Sequence, residues 1–296
     1  MGTDYSQVIE TIDPQRHVVI AGPTASGKSA LALAIAEAQG GTIVNADAMQ
    51  IWSCWRVLTA RPDAADMAAA PHALYGHVDP GQSYSVGDWL GDVAKIEGRL
   101  IVAGGTGLYL TALTSGLAHI PPVPPEIRDT GDAILAGGGL QDMIAGLDDA
   151  SREKIDLNNP ARVQRAWEVL QATGRSIVDW QTETPPPLIS PEDATCLVLK
   201  SDRDWLAKRI LVRFAQMWQD GAVDEVRAMM PVWDERAQWT RAIGAPEIAA
   251  YLREEIDAKT AKSRAIIATR QYAKSQRIWF RSRMKAWNTL RVGPAA

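Results

Sequence analysis

Cysteine is nearly absent from this 296-residue chain: Cys54 and Cys196 are the only two. Two thiols cannot build a disulfide framework or, unaided, a structural zinc site, so the composition fits two buried thiols in a reducing cytoplasm. No basic n-region followed by an apolar stretch opens the chain, which argues against a secretory leader. Long apolar runs are also scarce. The best candidate, Leu100 to Pro125, carries no Asp, Glu, Lys or Arg. It is interrupted by Gly104-Gly105-Thr106-Gly107, Ser115-Gly116 and Pro121-Pro122, which a lipid-facing helix would not tolerate. It reads as a strand, a glycine turn, a helix and a proline-rich exit, and no membrane association is expected. With 46% hydrophobic and 22% charged residues, the chain is neither disordered nor low in complexity.

Positive charge is missing from most of the chain and concentrated at one end. The formal net charge is −4, yet Ala258 to Ala296 holds ten Lys or Arg and no acid, which leaves 21 basic against 35 acidic residues elsewhere. Such asymmetry marks a polyanion-binding face. Arg270, Lys274, Arg277 and Arg281 recur at helical spacing, so one helix presents a basic stripe with Tyr272, Trp279, Phe280 and Trp287 interleaved. A stripe of this kind points to RNA or single-stranded nucleic acid. The alternative is a merely solvated helix.

Short apolar runs at His17–Ala21, Thr42–Asp47 and Arg99–Ala103 alternate with helical patterns, and the alternation resumes at Thr195–Leu199 with the amphipathic stretch Leu206, Ile210, Phe214, Met217. Between the proline clusters 121–125 and 185–187 the pattern is helical throughout. With Gly22 to Ser29 reading G-x-x-x-x-G-K-[ST] between the first of these strands and its helix, we expect an α/β fold: a P-loop NTPase-like parallel sheet flanked by helices, with a helical insertion domain at 120–190, a core of 17–119 and 191–296, and an N-terminal extension at 1–16.

The strongest motif is Gly22-Pro23-Thr24-Ala25-Ser26-Gly27-Lys28-Ser29, a G-x-x-x-x-G-K-[ST] loop between an apolar strand and a helix. Its amides and the helix N-terminus cradle phosphate, Lys28 adds a positive charge, and the Ser29 hydroxyl suits Mg²⁺. The apolar strand Leu100–Ala103 does not end in the Asp that an ATP-hydrolysing site usually places there. The well-placed acid is Asp47, at the carboxyl end of the strand after the P-loop helix, where ligands of parallel sheets bind. Asp47 is open to three readings: metal ligand, general base, or cap of the following turn.

In this order and spacing, these motifs resemble those of the tRNA dimethylallyltransferase (isopentenyltransferase) family. The family's GPTASGK[ST] loop is intact, and Asp47-Ala48-Met49-Gln50-Ile51-Trp52 is similar to its D-S-x-Q-[IV]-Y segment. Leu58-Thr59-Ala60-Arg61-Pro62, Pro71-His72-Ala73-Leu74, Asp79-Pro80, Gly104-Gly105-Thr106-Gly107-Leu108-Tyr109, Asn158 to Ala166 and Ala268 to Gln276 follow in the family's order. The resemblance implies transfer of the allyl group of dimethylallyl diphosphate to N6 of the adenosine 3′ of the tRNA anticodon, with a small-molecule P-loop kinase as the alternative. It implies Asp47 as base, Thr106 near the bridging oxygen, and Gly22 to Ser29 with Arg241 around the diphosphate. It places Asp47, Ala48, Met49, Gln50, Thr106, Arg128, Ala161, Arg162, Val163, Gln164 and Arg165 toward the flipped adenosine and the anticodon stem-loop, joined by Arg270, Lys274 and Arg277 of the basic stripe. The expected cofactor is Mg²⁺, and the expected state is a cytoplasmic monomer. The chain departs from the family at Ala48 for Ser, Trp52 for Tyr, Arg61 for Lys, and Ala245-Pro246-Glu247 after Ile243-Gly244.

Overall fold

The computed structural model describes residues 5–293. Six strands form one parallel sheet: β1 (His17–Ala21), β2 (Thr42–Asn45), β3 (His72–Ala73), β4 (Leu100–Gly104), β5 (Ala194–Ser201) and β6 (Asn288–Val292), in the order β3-β2-β4-β1-β5-β6. The fold is the P-loop NTPase-like architecture that the strand–loop–helix motif calls for. β1 lies in the middle, and its Val18, Val19 and Ile20 are wholly buried, as a parallel strand covered on both faces requires. Among the described residues fourteen α-helices accompany the strands: α1 (Ser6–Glu10), α2 (Lys28–Gln39), α3 (Ala64–Ala69), α4 (Val86–Val93), α5 (Gly107–Ser115), α6 (Pro125–Ala136), α7 (Leu140–Ala145), α8 (Asp149–Lys154), α9 (Pro160–Thr173), α10 (Ile177–Thr182), α11 (Arg203–Gln219), α12 (Ala222–Met229), α13 (Ala245–Leu252) and α14 (Ala258–Arg283).

One face of the sheet is covered by α2, whose Leu31, Ala32 and Ile35 pack on Val18, Ile20, Ile43 and Ile101. Residues 5–16, read from the sequence as an extension, join this layer: Ile12 is buried, and Gln39 donates to the carbonyls of Ile9 and Ile12 at 3.0 Å each. The other face packs Val19, Val44, Val102 and Val198 against Trp89, Leu110, Leu113, Phe280 and Trp287. Trp89 stacks on Tyr109 at 4.6 Å and donates its indole N–H to the Asn45 carbonyl at 2.8 Å.

The chain divides into two compact units, one of Met1–Thr114 with Leu188–Ala296 and one of Ser115–Pro187. The division falls before the first proline cluster, because Ile189 N–H already bonds the Leu113 carbonyl at 3.1 Å. Pro121 and Pro122 therefore lie inside the second unit, and Pro125 opens α6 as its first residue. That unit has its own core of Met143, Leu147, Val163, Ala166, Val169, Ile177 and Val178. Its α9 starts with Asn159 as N-cap and Pro160 at the first position, and stops at left-handed Gly174. Among the described residues no helix is long and apolar enough to cross a membrane. Cys196 is buried as expected, whereas Cys54 is only half-buried; burial raises both thiols, to about 11 and about 12, so neither is a thiolate near neutral pH.

Candidate active site

The P-loop follows β1 at the carboxyl edge of the sheet. Ala25 (φ 63°) and Gly27 (φ 97°) take left-handed conformations that turn the chain into α2. A Cβ on Gly22 would meet the Ser26 hydroxyl at 2.6 Å, so the loop needs its glycine there. Ser26 is buried, and its Oγ has no hydrogen-bond partner. A hydroxyl in this position can donate to an anion held by the loop. Lys28 opens α2, and Ser29 beside it is exposed. Burial lowers the Lys28 ammonium to about 8, with the Asp47 carboxylate opposing this shift and Arg213 adding to it.

Asp47 is held by the residue that ends β2. The wholly buried Asn45 side chain accepts from the Asp47 N–H at 2.9 Å and donates to the Asp47 and Leu74 carbonyls at 3.0 Å each. Asp47 Oδ1 accepts from the Met49 N–H at 3.0 Å, so the capping reading holds for one carboxylate oxygen. Oδ2 lies toward Gly105, 3.5 Å from where a Cβ would stand. The second oxygen is thus available for a proton or a ligand.

The Gly104-Gly105-Thr106-Gly107 turn is explained by three close approaches. A Cβ would meet the Ala46 carbonyl at 2.0 Å from Gly104, Gln276 Nε2 at 2.2 Å from Gly105, and Trp279 at 2.3 Å from Gly107. Thr106 N–H donates to the Ala46 carbonyl at 3.1 Å, and Thr106 Oγ1 accepts from the Ala48 N–H at 2.9 Å. The turns carrying Asp47 and Thr106 are therefore bonded to each other. Gln276 of α14, itself buried, joins both to the P-loop: it donates to the Gly105 carbonyl at 2.9 Å and accepts from Thr24 N–H at 2.9 Å. Tyr272, one turn earlier, lies beside Thr106 and Gln276. Burial first and the Asp47 charge second push its phenol well above the ordinary range, so it stays neutral.

These groups border a cavity of about 90 Å³ lined by Thr24 and Ala25 of the P-loop, Asp47, Arg213 and Tyr272, and the apolar side chains of Met49, Leu58, Ile210, Phe214, Met217 and Ile243. Glu225 fixes one wall, its carboxylate accepting from the N–H groups of Arg56, Val57 and Leu58 at 2.8 to 2.9 Å. Gln50 closes the same turn, donating to the Thr59 and Ala60 carbonyls at 2.8 and 3.1 Å.

Of the residues named from the sequence, the structure brings Asp47, Thr106, Lys28 and the loop together at the carboxyl edge of the sheet. Sequence reasoning missed Asn45, Arg213, Tyr272 and Gln276. A signal existed for the α14 pair, since Thr269, Tyr272 and Gln276 repeat at i, i+3, i+7 opposite the basic stripe. The cation expected near the cradle, Arg241, sits exposed on a 3₁₀ turn at Trp239–Arg241, and the guanidinium lining the cavity is that of Arg213. Arg270 and Lys274 are exposed on α14, and Arg277 is half-buried.

In the second unit, Arg128, Ala161 and Arg162 are exposed, and Arg165 lies close enough to Arg128 for the two charges to repel. Gln164 is engaged with Asp132 and Glu168 at 2.6 and 3.0 Å. Val163 corrects the sequence expectation: it is wholly buried in that unit's core, so its side chain has no surface to offer RNA.

A parallel sheet with a phosphate loop at its carboxyl edge, opening on an apolar cavity with one carboxylate, defines a P-loop protein built around an anion joined to an apolar group. The IPP transferase family model matches residues 50–283, and the chain belongs to that family. It is 61% identical over 295 residues to the tRNA dimethylallyltransferase of Paracoccus denitrificans, covering 97% of this chain and 98% of that one. The full-length tRNA isopentenylpyrophosphate transferase of Bacillus halodurans superposes with a TM-score of 0.64 at 28% identity, over 94% of this chain and 90% of the other. A eukaryotic dimethylallyltransferase acting on tRNA shares the fold with a TM-score of 0.78 at 24% identity, over 94% of this chain and 74% of its own.

Proposed function

We propose that the chain transfers the dimethylallyl group of dimethylallyl diphosphate to N6 of the adenosine 3′-adjacent to the anticodon of tRNA, releasing diphosphate. The observation that carries this reading is the apolar cavity set directly against the phosphate loop. A kinase would place a polar acceptor there, whereas an allylic diphosphate is an anion with a branched hydrocarbon attached.

The chemistry asks little of the protein beyond charge placement. The allylic C–O bond breaks and its electron pair leaves with the diphosphate, which the P-loop amides, Lys28 and the Arg213 guanidinium stabilise. The N6 lone pair forms the new C–N bond, and the free oxygen of Asp47 takes the proton that N6 gives up. Thr106, held by the Ala48 N–H, stands beside that carboxylate as the hydroxyl next to the departing oxygen. The target base reaches this site by leaving its stack.

No group of three or more His, Cys, Asp or Glu that could hold a metal occurs among the described residues. The donor present, the Ser29 hydroxyl at the start of α2, suits Mg²⁺, a hard cation that takes most of its ligands from phosphate oxygens and water. When bound, it neutralises charge on the departing diphosphate. The test is transfer of label from dimethylallyl diphosphate to an unmodified anticodon stem-loop, with labelled ATP in parallel. Allyl transfer that requires the target adenosine is expected; phosphoryl transfer from ATP to a small acceptor, without allyl transfer, overturns the reading.

A further inference from the structure

Farther along α14, past Gln276, lies a second cavity of about 500 Å³ formed by the end of β5, the start of α11, the last turns of α14 and β6. Its floor is apolar, with Val198, Leu199, Phe280 and Met284, and its rim carries Lys200, Arg203, Arg277, Arg281 and Lys285. No acid lines it. None of these five cations has an ion pair or side-chain hydrogen bond among the described residues. The nearest carboxylate in sequence, Asp202, is occupied as N-cap of α11, accepting from the N–H groups of Asp204 and Trp205 at 2.9 and 2.8 Å. Arg277 is disfavoured as a cation first by burial and then by Arg203 and Arg281, so the cluster repels itself. A separate observation points the same way: the hydroxyl of Ser201, also in the lining, is buried with no partner. Uncompensated like charges around a concave floor, with an orphaned hydroxyl among them, are the complement of a phosphate group.

The length of the charged track decides between a free anion and a strand. Arg270, Lys274, Arg277 and Arg281 follow one face of α14 over ~16 Å at 1.5 Å per residue, longer than a single phosphate group can span. A small phosphate would satisfy one end of this row and leave the rest unpaired.

We propose that the cavity bounded by Lys200, Ser201, Arg203, Arg277 and Arg281 holds backbone phosphates of the RNA strand that leads away from the target adenosine. Its members Lys200, Ser201 and Arg203 lie outside both the phosphate loop and the basic helix. The inference rests on tRNA being the acceptor and assigns that acceptor a second point of attachment.

The test is an anisotropy titration of an unmodified anticodon stem-loop over a KCl series, with wild type, Arg203→Gln/Arg281→Gln and Arg203→Lys/Arg281→Lys. Both arginines are exposed, so the variants should fold, and thermal melting checks this. Loss of two phosphate contacts should lower the slope of log Kd against log salt by ~1.4 in the Gln variant, while the Lys variant keeps it. The inhibition constant of inorganic diphosphate should stay within about twofold, because neither Arg203 nor Arg281 belongs to the phosphate loop or lines the cavity beside it. An unchanged slope in the Gln variant overturns the proposal. A slope unchanged together with weakened diphosphate inhibition assigns the cavity to a free phosphate instead. If wild type itself neither binds the stem-loop nor transfers allyl groups, the functional reading fails rather than the cavity assignment.

Discussion

The ammonium of Lys28 should impose a pH limit on the reaction, and the structure sets where. Burial lowers it from the ordinary 10.5 to about 8, against the pull of Asp47 and with the push of Arg213. The sign follows directly. Lys28 is a cation below about 8 and neutral above it, so a diphosphate arriving at the free enzyme meets full charge at pH 7 and little at pH 9. The charged fraction goes from ~90% at pH 7 to ~10% at pH 9, and kcat/KM for the diphosphate, which reports ionisations of the enzyme before that substrate binds, should fall roughly tenfold per unit above 8. Bound diphosphate favours the ammonium, so the limb in kcat should lie at higher pH than the limb in kcat/KM.

The assay is allyl transfer at saturating stem-loop and limiting dimethylallyl diphosphate from pH 6.5 to 9.5. The phosphate oxygens lose their last proton near pH 6 and do not titrate across the limb. Two variants isolate the cause. Arg213→Gln removes a neighbouring cation and should move the limb up, whereas Asp47→Asn removes the opposing carboxylate and should move it down. Lys28→Arg keeps its charge throughout and should abolish the limb at whatever residual rate remains. A flat profile through pH 9, or the same fall in Lys28→Arg, refutes the reasoning.

Asp47→Ala should lower kcat by about 10²-fold while stem-loop affinity stays near wild type; a collapse of affinity would make Asp47 a recognition residue instead. Glu225→Ala releases three N–H groups that now share one carboxylate, and should destabilise the fold by about 3 kcal/mol and raise KM for the allylic diphosphate through the loosened Leu58 wall. Denaturant melts and steady-state kinetics check both effects, and a wild-type midpoint with wild-type KM contradicts this. Gly104→Ala drives a methyl into the Ala46 carbonyl, a backbone atom that cannot turn aside, and should cost about 3 kcal/mol of stability in urea unfolding. A normal midpoint would mean that β2 and β4 can part without penalty.

Which parts of this architecture could be read from residues follows from how local each determinant is. β1, β4 and β5 are apolar runs buried on both faces, and the P-loop and α2 follow from one eight-residue motif, so these elements were legible. β3 has two residues, and β6 pairs along one edge with Asn288, Thr289 and Arg291 exposed, so neither has an apolar pattern to find. The basic stripe announced α14, but not which polar residues turn inward. Gln276 acts through partners 252 and 171 residues away, and Arg213 enters the site from a helix whose sequence shows only an amphipathic pattern. Asn45 was hidden for the opposite reason: it lies two residues from Asp47, but a buried amide that clamps a neighbour's backbone looks like any strand-ending Asn.

The same distinction between side chain and backbone resolves the oddest departure in the sequence. Ala48 stands where the family has Ser, next to the proposed base, and so lacks a hydroxyl there. In the structure residue 48 bonds Thr106 through its main-chain N–H, at 2.9 Å, and Thr106 in turn bonds the Ala46 carbonyl through its own N–H. Both bonds use groups that every residue except proline carries, so the union of the Asp47 and Thr106 turns does not depend on a hydroxyl at 48. Gly104 is different, because no other residue leaves room for the Ala46 carbonyl there. On this argument the geometry joining base and leaving-group hydroxyl is written in the glycines and in Gln276, and Ala48→Ser should change the rate far less than Gln276→Ala.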